Sequence, residues 1–449
     1  MTIAEAAELV LATARANGAT AADVVVARSR QLEVSVRQRA LEKVTQAEEK
    51  QLGLRVFVGK RSAVAATSDL TAAALREFAR ETCSLAKVVA EDPFSGFPRP
   101  EELARELPQL ELFDARVAEM TPEQARALAE RAEASALDYD SRIVNSEGAE
   151  CSAQSAEIWY ASTLGFARGY ESSAISVSVV PVAKSNSGMQ RDYWYSVVRQ
   201  LDQLEPPEAI GRKAAERALR RLDARSVATC EVPVIFDPET ASSLLGHLSQ
   251  AVLGQAIYRG TSFLVGRLGQ KIAPSFVTVV DDARIPAALG SKPFDAEGVE
   301  TRRNTVVDGG YLSSYLLDSY SARRLGFPSS TGNAGRSVGS APLAAPTNFY
   351  LLPGETPPEE LIRSVSRGLY VTNLIGFGVN LTTGDYSRGA SGLWIENGAC
   401  SFAVEEVTVA GNLFEMWSRI EAIGNDLALR RAVAAPTILI GKLTVAGRG

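Results

Sequence analysis

Apolar residues recur along this chain with two different spacings, and the alternation between them sets out its elements. Residues 3–17 place Ala, Val and Leu every three to four positions among Glu5, Glu8 and Arg15, which predicts an amphipathic helix. A period of two follows. Residues 23–27 form a short predicted strand, and Leu32, Val34 and Val36 alternate with polar neighbours as a half-buried strand does. Residues 53–58 and 62–67 read as strands joined by the turn Gly59-Lys60-Arg61. Ser68 or Asp69 is placed to cap a helix over 72–89. Pro93, Pro98, Pro100 and Pro108 then predict a strap over the surface. Thr121-Pro122-Glu123-Gln124 is a helix start, with a cap, a proline in the first turn and an acid near the positive helix end.

A second strand-rich stretch spans 142–198, with strands at 158–161, 165–170 and 172–182. Its strand–turn–strand layout echoes residues 32–67, as a duplicated unit would. A helix follows over 206–222. Past residue 228 the pattern restarts with a strand at 232–236, a break at Asp237-Pro238 and a helix over 239–258. Strands, turns and Gly-rich loops fill most of the remainder. Asp308-Gly309 and Asn397-Gly398 are hairpin dipeptides, because both suit positive φ. The expected fold class is α+β, with an N-terminal mixed α/β domain at 1–225 and a strand-rich C-terminal domain at 226–449.

Composition narrows the function classes. A chain of 449 residues exceeds one ordinary core, consistent with two domains. No uninterrupted apolar run long enough for a membrane helix occurs, and the N-terminal helix lacks the basic start and continuous apolar core of a signal peptide. The net charge is −6 and the basic residues are dispersed, which argues against nucleic acid as the main ligand. The pairs Arg220-Arg221, Arg302-Arg303, Arg323-Arg324 and Arg430-Arg431 are expected on solvated faces or in local ion pairs. Cys83, Cys151, Cys230 and Cys400 form no C-x-x-C motif and are expected to be reduced, mostly buried thiols of a cytoplasmic protein. The single histidine, His247, excludes any mechanism needing two histidines from this chain. It is expected to be a hydrogen-bonded helix residue near an interface.

Candidate chemistry is sparse. The run from Gly376 to Gly384 lacks the G-K-[ST] of a phosphate loop and is expected to mark a β-bulge or a tight crossing of strands. Asp281-Asp282 after an apolar strand is expected to cap a turn or accept backbone amides. Asp385 and Glu396 form a second carboxylate pair in sequence, with Glu396 next to a hairpin turn. Thr383, Ser387 and Ser391 are nucleophile candidates only if a base lies beside them.

Several stretches occurring in order across the C-terminal half resemble the TldD/TldE (PmbA) protease family. They are Arg259-Gly260-Thr261-Ser262, Val279-Val280-Asp281-Asp282, Asp308-Gly309-Gly310-Tyr311-Leu312, Ser330-Thr331-Gly332-Asn333-Ala334, Leu352-Pro353-Gly354-Glu355, Thr383-Gly384-Asp385-Tyr386-Ser387 and Trp394-Ile395-Glu396-Asn397-Gly398. The resemblance implies two related kinds of subunit. The TldD-like kind carries H-E-x-x-x-H on a helix and a downstream cysteine as third zinc ligand. Counting back from Arg259 puts the motif on Leu245-Gly246-His247-Leu248-Ser249-Gln250. The ligand positions become Leu245 and Gln250, the acid position becomes Gly246, and no cysteine follows Gly424-Asn425-Asp426. Those departures are similar to the TldE (PmbA) kind. They imply no cofactor in this chain, with zinc in a TldD-like partner and a cavity between the two that trims extended or unfolded peptides, such as microcin-type precursors and antitoxins. Asn380, Thr383, Asp385 and Ser387 are the expected peptide contacts. Two alternatives stay open: an independent non-zinc peptide or amide hydrolase, and a protein-binding regulator of the DNA gyrase modulator kind. A homodimer is also open.

Overall fold

The computed structural model describes residues 1–448. Its N-terminal half runs α1 (Ile3–Ala16), β1 (Ala21–Arg37), β2 (Ala40–Val58), β3 (Arg61–Thr67), α2 (Ala72–Val88), the short α3 (Ala115–Ala118), α4 (Pro122–Leu137), β4 (Ile143–Ser162), β5 (Ala167–Ser185), β6 (Gly188–Arg191), β7 (Trp194–Val198) and α5 (Pro207–Leu219). The strands form one sheet in the order β3-β2-β1-β4-β5-β6, with β7 also on β5. Two similar units stand side by side: a helix, a set of antiparallel strands and a closing helix, repeated about the central β1–β4 pair. The echo seen in the sequence is this repeat.

Residues 23–27 and 32–36, predicted as separate strands, belong to the single strand β1, paired with β4 without interruption from Asp23 to Val36. Their separation in the sequence has a physical cause. Ala22, Val24 and Val26 pack with α1 and α2, whereas Leu32, Val34 and Val36 pack with α4 and α5. All six lie on one face, because alternate residues of a strand share a side. Arg28 and Arg30 lie on that same face in the gap between the helix pairs, so they stay exposed without ending the strand. The opposite face, with Asp23, Arg55 and Tyr160, turns toward the C-terminal half. Gly53 is needed there: a Cβ at this position would lie 1.7 Å from the Val338 carbonyl oxygen.

The C-terminal half runs β8 (Cys230–Phe236), α6 (Pro238–Ala251), α7 (Gly254–Tyr258), β9 (Val279–Asp282), β10 (Arg303–Asp308), β11 (Tyr311–Leu312), α8 (Ser319–Leu325), β12 (Ala334–Gly335), β13 (Leu343–Ala344), β14 (Phe349–Leu351), α9 (Pro358–Arg363), β15 (Arg367–Ile375), β16 (Asp385–Glu396), β17 (Ala399–Asn412), α10 (Leu413–Ser418), β18 (Ile420–Ile423), β19 (Val433–Ala434) and β20 (Ile438–Ala446). Strands β17-β16-β15-β8-β20 close into a ring through pairing of Thr408–Ala410 with Thr444–Ala446. A smaller sheet has the order β11-β10-β9-β14-β19. The fold is thus α+β. The helix predicted over 239–258 is two helices, because the Gly254 amide bonds to the Leu316 carbonyl and pulls the chain aside. Asn397 and Gly398, at φ 52° and 77°, make the β16–β17 turn as their side chains allow. The cap of α2 is Thr71 rather than Ser68 or Asp69; Asp69 instead accepts the Thr71 amide.

Other expectations need correction. Cys83 and Cys151 are buried, but Cys230 is half-buried and Cys400 exposed, because strand alternation and the hairpin end leave Cys400 outside. Members of three of the arginine pairs make long-range contacts instead of lying free on a solvated face. Arg323 donates to the carbonyls of Phe94, Gly96 and Phe97, fastening the proline-rich strap. Arg430 meets Glu205, and Arg431 meets Glu239 and Tyr195, joining the two halves. Arg220 is enclosed in the same junction. A guanidinium is a rigid fork that suits such multi-carbonyl or carboxylate seats.

Candidate functional site

Helix α6 holds the positions to which the motif comparison points. Asp237 caps it, accepting the Thr240 amide at 2.9 Å, and Pro238 occupies the first turn. Ala241, Leu244, Leu245, Leu248 and Ala251 form its inner face within the main apolar cluster, with Phe236, Phe349 and Leu369. Leu245 is fully buried there. Gly246 borders open space, and Gln250 is exposed. Five residues along a regular α-helix turn a side chain by about 140° and advance it about 7.5 Å. Leu245 and Gln250 therefore point in different directions, one into the core and one outward.

Zinc does not fit these residues. An alkyl side chain has no lone pair, and a neutral amide is a poor ligand for the ion. Among the described residues no group of three or more His, Cys, Asp or Glu side chains is placed to hold a metal.

His247 lies on α6 beside β16. Its ring meets that of Tyr386 edge-on, with centroids 6.1 Å apart. Among the described residues none hydrogen-bonds to it: its Nε2 is buried without a protein partner, as are the Tyr386 hydroxyl and Arg388 Nε. Another Arg388 nitrogen donates to Ser243 Oγ at 2.8 Å. Burial, aided by the Arg388 charge, pushes the His247 pKa down to about 4. The imidazole is neutral at physiological pH. Burial likewise raises the Tyr386 phenol well above its ordinary range. Sequence alone offered no sign of this cluster, because β16 reaches α6 only through tertiary folding.

The expected peptide contacts fall on the loop 376–384 and the start of β16. Gly378 passes so close to β16 that a Cβ would sit 2.0 Å from the Ser387 carbonyl oxygen, the tight crossing expected of this run. The Ser387 amide donates to Gly378, the Asn380 amide donates to Asp385, and the other edge of β16 pairs with β17. No free backbone edge is left here for an added peptide strand. The side chains of Asn380, Thr383, Asp385 and Ser387 are exposed. Several also order the loop: Asn380 accepts the Thr382 amide at 2.9 Å, and the Thr383 hydroxyl donates to Asp385 at 2.6 Å.

The remaining carboxylate candidates are held by the fold in different ways. Asp385 and Glu396 stand at opposite ends of β16, about 35 Å apart at the rise of a strand. Asp281 is buried and accepts the Thr347 amide at 2.6 Å, the Thr347 hydroxyl at 2.8 Å and Asn333 Nδ2 at 2.6 Å. Burial outweighs these bonds and pushes its pKa up to about 6. Asp282 accepts the Arg284 amide at 2.9 Å, closing a turn. Two of the family-like stretches, around Asp281 and Asn333, thus tie to each other.

Comparison with known proteins agrees along the whole chain. Models of the PmbA/TldA metallopeptidase domain 1, central domain and C-terminal domain match residues 22–86, 115–222 and 229–447. Metalloprotease PmbA of Escherichia coli O157:H7 is 36% identical over 98% of this chain and 94% of its own length. A crystal structure from Bacteroides thetaiotaomicron, titled a putative modulator of DNA gyrase, superposes with a TM-score of 0.91 at 27% identity, covering 99% of this chain and 98% of that one. TldE from Thermococcus kodakarensis shares the fold, with a TM-score of 0.88 at 22% identity over 98% of this chain and 100% of that one. The domain models and the full-length relative place the chain in the PmbA/TldD metallopeptidase family.

Proposed function

We propose that this chain is the zinc-free subunit of a two-component peptidase and works with a TldD-like sister that carries the metal. The observation that supports it most is α6 itself: its inner face is packed with leucines, and neither motif position offers a zinc donor. A subunit of this kind walls the reaction cavity, excludes folded proteins and orients an extended peptide. Asn380, Thr383, Asp385 and Ser387 are the side chains proposed to touch that peptide. With both edges of β16 occupied, they would recognise it through side-chain hydrogen bonds rather than an added strand.

Co-expression with a TldD-like chain tests the proposal. The expected result is a stable complex that cleaves unstructured peptides and stops on chelation, while this chain alone is inactive. Peptidase activity from this chain alone, undiminished by chelator, would contradict it.

A further inference from the structure

A cavity of about 290 Å³ lies in the seam between the two halves of the molecule, apart from the α6–β16 cluster. Helix α5 and the residue after it supply Lys213, Arg217 and Arg220 from the N-terminal side. The start of α6 and residues 426–434 wall it from the other side, with Trp194 and Tyr370 adding aromatic surface.

Most of the charges here are already matched. Arg217 faces Asp192 and Asp237, at 3.4 and 3.5 Å. Arg430 pairs with Glu205 at 2.6 Å, and Arg431 with Glu239. Asp426 accepts the amide and hydroxyl of Thr437, at 2.9 and 2.7 Å. Arg220 is the exception. Among the described residues, two of its guanidinium nitrogens, Nε and one terminal nitrogen, are buried without any partner, and no carboxylate lies within ion-pairing distance of it. A buried cation of this kind is costly unless something meets it, and a guanidinium fork is shaped to receive two oxygens of one anion. Burial and the neighbouring Arg217 act against its charge more strongly than the more distant Asp237 and Asp192 carboxylates support it, so an anion there would relieve both. Lys213, half-exposed at the cavity wall, supplies a second cation with only a distant partner, Glu216 at 3.9 Å.

We propose that this cavity is a binding site for an oxyanion, a carboxylate or phosphate group seated on Arg220 and Lys213. Because its walls come from both halves, the bound anion ties α5 to the C-terminal half. The site is independent of zinc and of the peptide-processing role.

The test uses the purified full chain. Thermal unfolding and titration calorimetry are run with inorganic phosphate, and separately with acetate and succinate, at an ionic strength held constant with chloride. Binding with a raised Tm is expected for at least one of these anions. Arg220→Met is expected to weaken it about tenfold or more, since charge-assisted hydrogen bonds are lost. Lys213→Met, at a more exposed site that folding does not depend on, is expected to weaken it about threefold. Response to phosphate alone assigns a phosphoryl group, and response to the organic acids assigns a carboxylate. No binding above chloride, or unchanged binding in Lys213→Met and in folded Arg220→Met, would overturn the proposal.

Discussion

Two buried polar regions of this molecule differ in whether charge meets charge. Where the N-terminal sheet meets the C-terminal half, Asp23 pairs with Arg55 at 2.5 Å and with Arg336 at 2.7 Å, and Arg55 also reaches Glu297 at 3.4 Å. Burial alone would raise the Asp23 pKa, but the two arginines outweigh it and hold the carboxyl below its usual range. Between α6 and β16, by contrast, Arg388 meets only the neutral Ser243 hydroxyl, and among the described residues no carboxylate pairs with it; unpartnered buried atoms occur in both regions, on Arg336 in the first and on His247, Tyr386 and Arg388 in the second. The first region is a fastening whose charges need one another. The second is a polar cluster beside a helix with neither imidazole nor thiolate at its motif positions, and its unpartnered atoms are desolvated with no hydrogen bond to offset the cost.

Asp23→Ala should have the largest effect, because it leaves two buried guanidinium groups without their shared partner. A loss of about 3–5 kcal/mol is expected in denaturant unfolding. A loss below about 1 kcal/mol would show that the two regions are alike. Leu245→Ala comes next. As a packing residue it should cost about 2–5 kcal/mol, read by the same method, with no change in metal content. A smaller effect is expected from pH. The unfolded chain takes up a proton on His247 near its ordinary value of 6.5, whereas the folded chain does so only near 4. Stability attributable to this residue therefore falls as pH drops through that window. Unfolding midpoints at pH 7 and pH 5 should differ less in His247→Gln than in the parent; equal differences would place the imidazole in water. The smallest change is expected from Tyr386→Phe. Removing a hydroxyl that bonds to nothing should shift stability by less than about 1 kcal/mol. A larger loss would reveal a partner for that oxygen.

Much of the fold was legible where local chemistry decides it. Thr121 and Gln124 form the capping box their spacing implies, and Asn397-Gly398 turns the chain as its tolerance of positive φ requires. The two-unit repeat of the N-terminal half showed as an echo of strand patterns. What stayed hidden depends on distant partners. The polar run at Arg28–Gln31 interrupts burial but not strand pairing, because two helix pairs cover one sheet face and leave a gap. The contacts of Arg323, Arg430 and Arg431 depend on carbonyls and carboxylates roughly 190 to 230 residues away in the chain. For the candidate site, residue identity at Leu245 and Gln250 was enough to question a zinc site. The burial of Leu245 against the exposure of Gln250, and the unmatched atoms around His247, needed the assembled ring of strands.

Metal content of the isolated chain is the most direct measurement. After incubation with zinc and removal of free ion, elemental analysis should find far less than one zinc per chain. One tightly held zinc per chain, lost on replacing Gln250 or His247, would contradict a metal-free α6.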